Sequence, residues 1–277
     1  MNIDYNALEK TAFNARKKCL SLLDRGCFLG SAFSCTEIIT YLYSNFLNIN
    51  KNNIDDSNRD YFLLSKGHAA IMQYAIMNEL RINDCELERD YLKYGTNLYF
   101  HPNVNIPGVD FYTGSLGHAS SIGLGIALDI KFDNEQGKVV VLTGDGELNE
   151  GSNWETLLIA NAKKVDNLLI IVDRNQFQAN AETEKLSVMD PLKEKFESFG
   201  CSVKEIDGHD FGQIADTLNT FPFEKGKVSV IIANTVRGKS VKSIENDWEK
   251  WYFDSTEEEI AEYNEELLDY YKRKNVL

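Results

Sequence analysis

The residues GDGELNEG, 144–151, follow directly on an apolar run, KVVVLT. In a parallel α/β sheet, ligands settle beyond the carboxyl ends of the strands. A Gly-Asp-Gly has a use at such a place. The glycines carry no Cβ, so a phosphate can reach backbone N–H groups, and the aspartate offers a hard oxygen to a divalent ion that bridges phosphate oxygens. Many loops carry the same triplet as an ordinary turn, so a second group is needed. NLLIIVDRNQFQ, 167–178, places Asn175 and the carbonyl of Phe177 past the end of the next apolar run. If the two runs are neighbouring parallel strands, Asp145, Asn175 and that carbonyl meet on one patch. Three protein oxygens, two from a diphosphate and one water complete the octahedron that Mg²⁺ prefers. A nucleotide diphosphate would fit the same donors.

Those residues need a sheet to hold them, and the chain supplies the pattern for one. Lys138–Thr143, Asn167–Val172, Ser202–Ile206 and Val228–Ala233 read as four short buried strands. Helices are expected between them at Trp154–Lys163, Pro191–Phe199 and Gly212–Asn219. Apolar β-branched runs alternating with helices indicate a mostly parallel sheet with helices on both faces. Ahead of it lies a helical lead-in. Leu8, Ala12, Ala15 and Cys19 recur at helical spacing, as do Ile38, Ile39, Leu42 and Tyr43, and a further helix is expected over His68–Leu80. Gly117–Phe132 has a helical period but is loaded with Gly, Ala and Ser, which implies either tight helix packing or close approach of backbone to a ligand. Thr256 and Glu259 fit a capping box opening an acidic C-terminal helix. No repeat or linker divides the chain, so residues 1–277 are expected to form one domain.

Composition narrows the partners. The 277 residues carry 43 acids against 29 bases, a net charge of −14. Neither nucleic acid nor an anionic membrane is a fitting partner for that balance. No apolar run approaches the ~18 residues of a membrane span, and the N-terminus lacks a secretory pattern. The five cysteines include no C-x-x-C pair and suit reduced thiols. A cytoplasmic protein is the expectation.

The motifs then resemble one family. GDGELNEGSNWE and DNLLIIVDRNQFQ match the bipartite thiamine-diphosphate signature in the form found in transketolases. RDYFLLSKGHAAIMQYAIM, 59–77, is similar to their segment with Ser-Lys-Gly-His before a helix. FHPNVNIPGVDFYTGSLGHASSIGLGIAL, 100–128, resembles their His-Pro, Pro-Gly-Val and Thr-Gly-Ser-Leu-Gly run. MDPLKEKFESFG, IDGHD and NTVRGKS continue it in order. The resemblance runs from about Ala12 to about Tyr252 and is to the N-terminal, diphosphate-binding half of a transketolase, which occurs as a separate subunit in split forms.

The resemblance implies thiamine diphosphate and Mg²⁺ as cofactors. Asp145, Asn175 and the Phe177 carbonyl would bind the metal, and Gly146 and Arg237 would face the diphosphate. An arginine after a strand is equally a surface base. Gly114, Ser115 and Leu116 would lie against the cofactor's rings. His68 and His101 would line the channel to substrate, with His68 also near the cofactor. Glu150 and Glu155 would sit where two copies of the chain meet and belong to the catalytic proton network. His118 and His209 are expected to be structural. Two departures stand out: the resemblance puts Cys27 and Tyr252 where the family carries substrate-side histidines. The implied activity is transfer of a two-carbon ketol unit between small sugars, by a homodimer completed by a C-terminal, pyrimidine-domain subunit. The alternatives are one subunit of a decarboxylating carboligase and a non-catalytic, cofactor-binding subunit.

Overall fold

The computed structural model describes residues 3–277, so Met1 and Asn2 of the expected 1–277 unit lie outside the described residues. Five strands build one sheet: β1 Tyr61–Leu64, β2 Val139–Gly144, β3 Leu168–Arg174, β4 Ser202–Asp207 and β5 Ser229–Asn234. Their order is β1-β2-β3-β5-β4, and every pairing is parallel. Side chains alternate across the sheet with period two. Val140, Leu142, Leu169, Ile171 and Ile231 pack into one core, and Val139, Val141, Ile170, Val172 and Ile232 into the other. Burial on both faces is why these strands read as continuous apolar runs.

The helices of six or more residues are α1 Tyr5–Leu20, α2 Leu29–Ser34, α3 Thr36–Tyr41, α4 Ala70–Glu79, α5 Ala119–Phe132, α6 Gly151–Ala162, α7 Leu192–Ser198, α8 Phe211–Leu218 and α9 Glu257–Arg273. The helical lead-in α1 to α4, together with α8 and α9, covers the first core, and α5, α6 and α7 cover the second. This is the expected parallel sheet with helices on both faces.

Two details depart from expectation, the extra strand β1 and the start of α5, and the sequence pattern carries no expectation of the strand order. β1 is an additional strand, hidden in the sequence because its four residues sit inside the Ser-Lys-Gly-His motif. The last strand in sequence, β5, lies inside the sheet, and β4 takes the edge. Composition explains the order: β5 is SVIIAN, whereas β4 carries Lys204 and Glu205, charges that discourage pairing along an open edge. α5 starts at Ala119 rather than Gly117, because Gly117 has φ +84° and cannot continue a helix. Packing accounts for the small residues within α5. A Cβ on Gly123 would stand 2.7 Å from Val141 Cγ2 on β2, and Ser120 and Ser121 hydrogen-bond to Asn153 and Thr156 on α6.

α9 opens with the expected capping box, Thr256 Oγ1 accepting from Glu259 N and Glu259 accepting from Thr256 N. Its apolar side carries Tyr271 onto a buried ionic network. Arg16 donates to both oxygens of Glu37 at 2.7 and 2.9 Å and to the Tyr271 hydroxyl. His209 closes the network: Nε2 accepts from Val236 N, so Nδ1–H donates to Glu37 at 2.9 Å. Burial alone would favour a neutral Glu37, but Arg16 and the bond from His209 outweigh it and hold the carboxyl well below the usual range. His209 therefore has the structural place expected of it. Among the described residues, no helix is long and apolar enough to cross a membrane.

Candidate active site

Four adjacent strands end on the same side of the sheet, and each hands over to a site segment. β1 leads to Ser65–His68, β2 to Asp145–Glu147, β3 to Asn175–Phe177 and β5 to Thr235–Arg237. Together these segments enclose a cavity of about 210 Å³. Eight of the twelve residues expected at the site line it: His68, Leu116, Asp145, Gly146, Glu150, Asn175, Phe177 and Arg237. The sheet thus brings together segments that are up to 171 residues apart in sequence (66 to 237).

Asp145 is 3 % exposed. Its Oδ1 accepts from Gly146 N at 2.8 Å and its Oδ2 from Gln176 N at 2.7 Å. Burial and the charge of Asp173 push its pKa up to about 7, against those two bonds and Lys66. A buried carboxylate held away from its ordinary range by its surroundings is one that a cation would stabilise. Asn175 Oδ1 accepts from Phe177 N at 3.0 Å, which fixes the amide beside the carbonyl that follows. A Cβ on Gly146 would stand 2.8 Å from Gln178 Cβ, so only glycine lets this turn close on the short hairpin of Phe177–Gln178 with Ala181–Glu182. No group of three or more His, Cys, Asp or Glu side chains suited to a metal occurs among the described residues. The donors here are a carboxylate, an amide oxygen and a main-chain carbonyl, a hard set that fits Mg²⁺ rather than a softer metal.

Arg237 is 2 % exposed and is no surface base. Its guanidinium donates to the carbonyls of Ala179 and Lys250, lies over the rings of Phe177 and Trp251, and keeps a buried Nε without a partner. His68 Nε2 is 2.7 Å from Ser31 Oγ. Burial, then the charge of Lys66, keeps this imidazole neutral by pushing its pKa well below the ordinary histidine value.

The other four expected residues are not among those lining the cavity. Gly114 has φ +118°, and a Cβ there would collide with the His101 ring. His101 thus backs the Gly114–Leu116 loop and faces a neighbouring groove with Asn97, Tyr99 and Tyr112. Ser115 is exposed beside it, and Glu155 lies exposed on α6. Trp154, next to Glu155, packs inward on Phe196 and Phe199 and donates to Leu148 O. His118 is exposed and donates to Leu116 O.

The two departures move by one residue. Cys27 is 1 % exposed, exchanges both main-chain hydrogen bonds with Phe253, and its thiol pKa is raised well above normal by burial. It faces the core. Phe28 packs against two residues of the cavity wall, with its ring 5.7 Å from His68 and 5.0 Å from Trp251, and 5.4 Å from Tyr252. Trp251, not Tyr252, lines the cavity, 5.0 Å from His68. Tyr252 lies behind it, its hydroxyl occupying the space a Cβ on Gly26 would need.

Sequence reasoning missed several groups. Lys66 is 1 % exposed, lines the cavity, and is paired with Asp173, which also accepts from Ser34 and Thr235. An acid ending the otherwise apolar run NLLIIVD, and a lysine opening Lys-Gly-His, were signals of a buried pair. Glu147 is buried two residues after Asp145, and its pKa is raised by burial against three hydrogen bonds.

The family model described as transketolase, thiamine diphosphate binding domain, matches residues 24–270. One subunit of the apulose-4-phosphate transketolase of Actinobacillus succinogenes is 37% identical over 274 residues, covering 97% of this chain and 98% of that protein. A 6-deoxy-6-sulfo-D-fructose transketolase subunit of a Clostridium species is 32% identical over 76% of this chain and 77% of its own length. The crystal structure of Campylobacter jejuni transketolase superposes with a TM-score of 0.86 at 25% identity over 96% of this chain, which spans 43% of that protein. With the family model spanning most of the sequence and the cavity built from its motif residues, the chain belongs to the transketolase family, as a thiamine-diphosphate-binding domain.

Proposed function

We propose that this chain is the diphosphate-binding subunit of a transketolase-type enzyme that transfers a two-carbon ketol unit between small sugars, using thiamine diphosphate and Mg²⁺. The observation that carries the reading is the convergence of Asp145, Asn175, Phe177, Arg237 and His68 on one cavity at the carboxyl ends of adjacent strands. When bound, thiamine diphosphate supplies the electron sink for breaking and re-forming a carbon–carbon bond. Asp145, Asn175 and the Phe177 carbonyl hold Mg²⁺, and Gly146 and Arg237 face the diphosphate. Gly114, Ser115 and Leu116 cover the rings. His68, kept neutral, offers its free ring nitrogen to a substrate hydroxyl, with His101 further along the channel, and the two act as catalytic proton carriers. Glu150 and Glu155 face a second copy of the chain.

The 277 residues act as one domain in the cytoplasm. Two relatives are named as subunits of transketolases, which supports a C-terminal, pyrimidine-domain partner and a two-plus-two heterotetramer built on a homodimer. The same names concern apulose-4-phosphate and 6-deoxy-6-sulfo-D-fructose, sugars outside the common pentose and hexose phosphates. Phe28 and Trp251 beside His68 support an unusual sugar here too. The test is to purify the chain, alone and with a pyrimidine-domain protein encoded beside it, and to assay ketol transfer. The expected result is an inactive homodimer and an active heterotetramer. A monomer that transfers ketol units unaided refutes the split-subunit reading. Carbon dioxide release from a keto acid by the complex, without ketol transfer, replaces it with a decarboxylating carboligase.

A further inference from the structure

Three segments around the cavity end on one side chain. Glu147 Oε1 accepts from the hydroxyl of Ser65 and from Gly117 N at 2.8 Å, and Oε2 accepts from Gly144 N at 3.2 Å. Ser65 directly precedes Lys66–His68, Gly117 closes the Gly114–Leu116 loop, and Gly144 opens the turn carrying Asp145 and Gly146. The carboxylate is 3 % exposed. Its own main chain is held as well, since the Glu147 carbonyl accepts from Asn153 on α6. Few other bonds hold the Gly114–Leu116 loop. Thr113 Oγ1 donates to Leu64 O at one end, and at the other Ser152 Oγ donates to Gly117 O and His118 donates to Leu116 O.

We infer that Glu147 is a positioning residue: from the cavity wall, one carboxylate ties the Ser65–His68, Gly114–Gly117 and Gly144–Gly146 segments into a single rigid cradle, with both oxygens turned to those segments. A carboxylate suits the task because both oxygens accept, and each of them faces a main-chain N–H that can only donate, with the Ser65 hydroxyl donating as well. An amide cannot replace it. Gln at this position keeps Ser65 and Gly117 on its oxygen but turns an NH₂ towards Gly144 N–H, donor against donor. Ala leaves one hydroxyl and two N–H groups buried without partners. The three bonds stand on geometry alone. Only the nature of the ligand in the cradle rests on the proposed function.

The test uses the full-length chain. Amide hydrogen exchange at Gly117 and Gly144 reads the ties directly, and tryptophan fluorescence, to which Trp251 of the cavity wall contributes, reads binding of thiamine diphosphate with Mg²⁺. Glu147→Gln is the main variant. Ser65→Ala, which removes one donor and leaves the carboxylate, guards against misfolding. Glu37→Gln, in the distant Arg16 network, controls for general loss of stability. The expected result for Glu147→Gln is exchange at Gly144 at least ~10-fold faster and cofactor affinity at least ~10-fold weaker. Ser65→Ala gives a smaller change of the same sign in affinity, and Glu37→Gln lowers the melting temperature without weakening the cofactor. Wild-type exchange at Gly144 in Glu147→Gln overturns the tie. Loosened amides with undiminished affinity overturn the positioning role. If the wild-type chain binds no thiamine diphosphate even with its pyrimidine-domain partner, the cofactor reading falls, and the exchange measurement alone decides for or against the cradle.

Discussion

Asp145→Asn should make the cofactor-free chain more stable and the cofactor-bound chain weaker. The carboxyl sits at about 7 in the folded chain against 3.8 unperturbed. Its folded pKa is raised, so the folded state binds this proton more tightly than the unfolded one. Its favourable contribution is complete below about pH 3.8 and is lost as pH rises through about 7. At pH 8 the ionised carboxylate costs folding about 4 kcal/mol, from roughly three units at 1.36 kcal/mol each. Asn removes that cost. It keeps one acceptor for the N–H groups of Gly146 and Gln176 and loses the other, which costs ~1–3 kcal/mol. The balance is a gain of ~2 kcal/mol at pH 8, shrinking towards pH 4. Binding moves the other way, because a lost metal ligand should cost ~100-fold in affinity, at or beyond the range for residues that only support ligands. At a ligand concentration of ~1,000 Kd the wild type gains ~4.1 kcal/mol, whereas a variant bound ~100-fold more weakly gains ~1.4 kcal/mol. The stability order should therefore reverse when thiamine diphosphate and Mg²⁺ are added. Urea unfolding at pH 8, with and without cofactor, measures both halves. A variant less stable than wild type without cofactor, or one that gains as much from it, would refute the reasoning.

Histidine at both Phe28 and Trp251 should raise turnover of xylulose and ribose phosphates by ~10-fold or more in the complete enzyme, since a site gains most from hydrogen bonds made where none existed; robust wild-type turnover of these sugars would show that the aromatic pair is neutral. Glu37 has a depressed folded pKa, so its contribution is present above about 4.5 and is lost as pH falls below it. Glu37→Gln should flatten that part of the acid limb in a pH series of unfolding curves and destabilise the chain at pH 7 by ~3–5 kcal/mol, as expected when a buried pair loses one partner. Leu158 and Ile159, 59% and 53% exposed on α6 near Glu155, should lie in the homodimer contact. Leu158→Glu with Ile159→Glu should give a monomer by light scattering, and an unchanged dimer would move the interface elsewhere.

Local pattern and motif spacing carried the sheet, the both-face covering and the meeting of Asp145, Asn175 and Phe177 at one cavity, because strand burial and loop chemistry are written in adjacent residues. What failed locally was set by distance. β1 is four residues long and becomes a strand only through its pairing with β2. Cys27 and Phe28 exchanged places because the main-chain bridge from Cys27 to Phe253, 226 residues away (27 to 253), decides which of the two faces inward. Glu147 looked like one more acid in a charged motif, since its donors come from Ser65 and Gly117 on other segments. Arg16, Glu37 and His209 carried no local sign of pairing, and His209 was legible only as a residue without a catalytic neighbour.

The order of strands also sets a timetable for synthesis. β3 ends at Arg174, and its neighbour β5 begins at Ser229, 55 positions later. At ~5–20 residues per second, β3 waits ~3–11 s on the ribosome with one edge unpaired. During that interval β4 is already made but has nothing to pair with, because its place is on the far side of β5. The exposed edge is LLIIV, a segment of high β-propensity and no charge, the kind that templates association between chains. Only when β5 arrives does the sheet close, and the same event delivers Thr235 and Arg237 to the cavity. Slow translation or rare codons between Arg174 and Ser229 should therefore lower the soluble yield of this protein more than the same delay after Asn234.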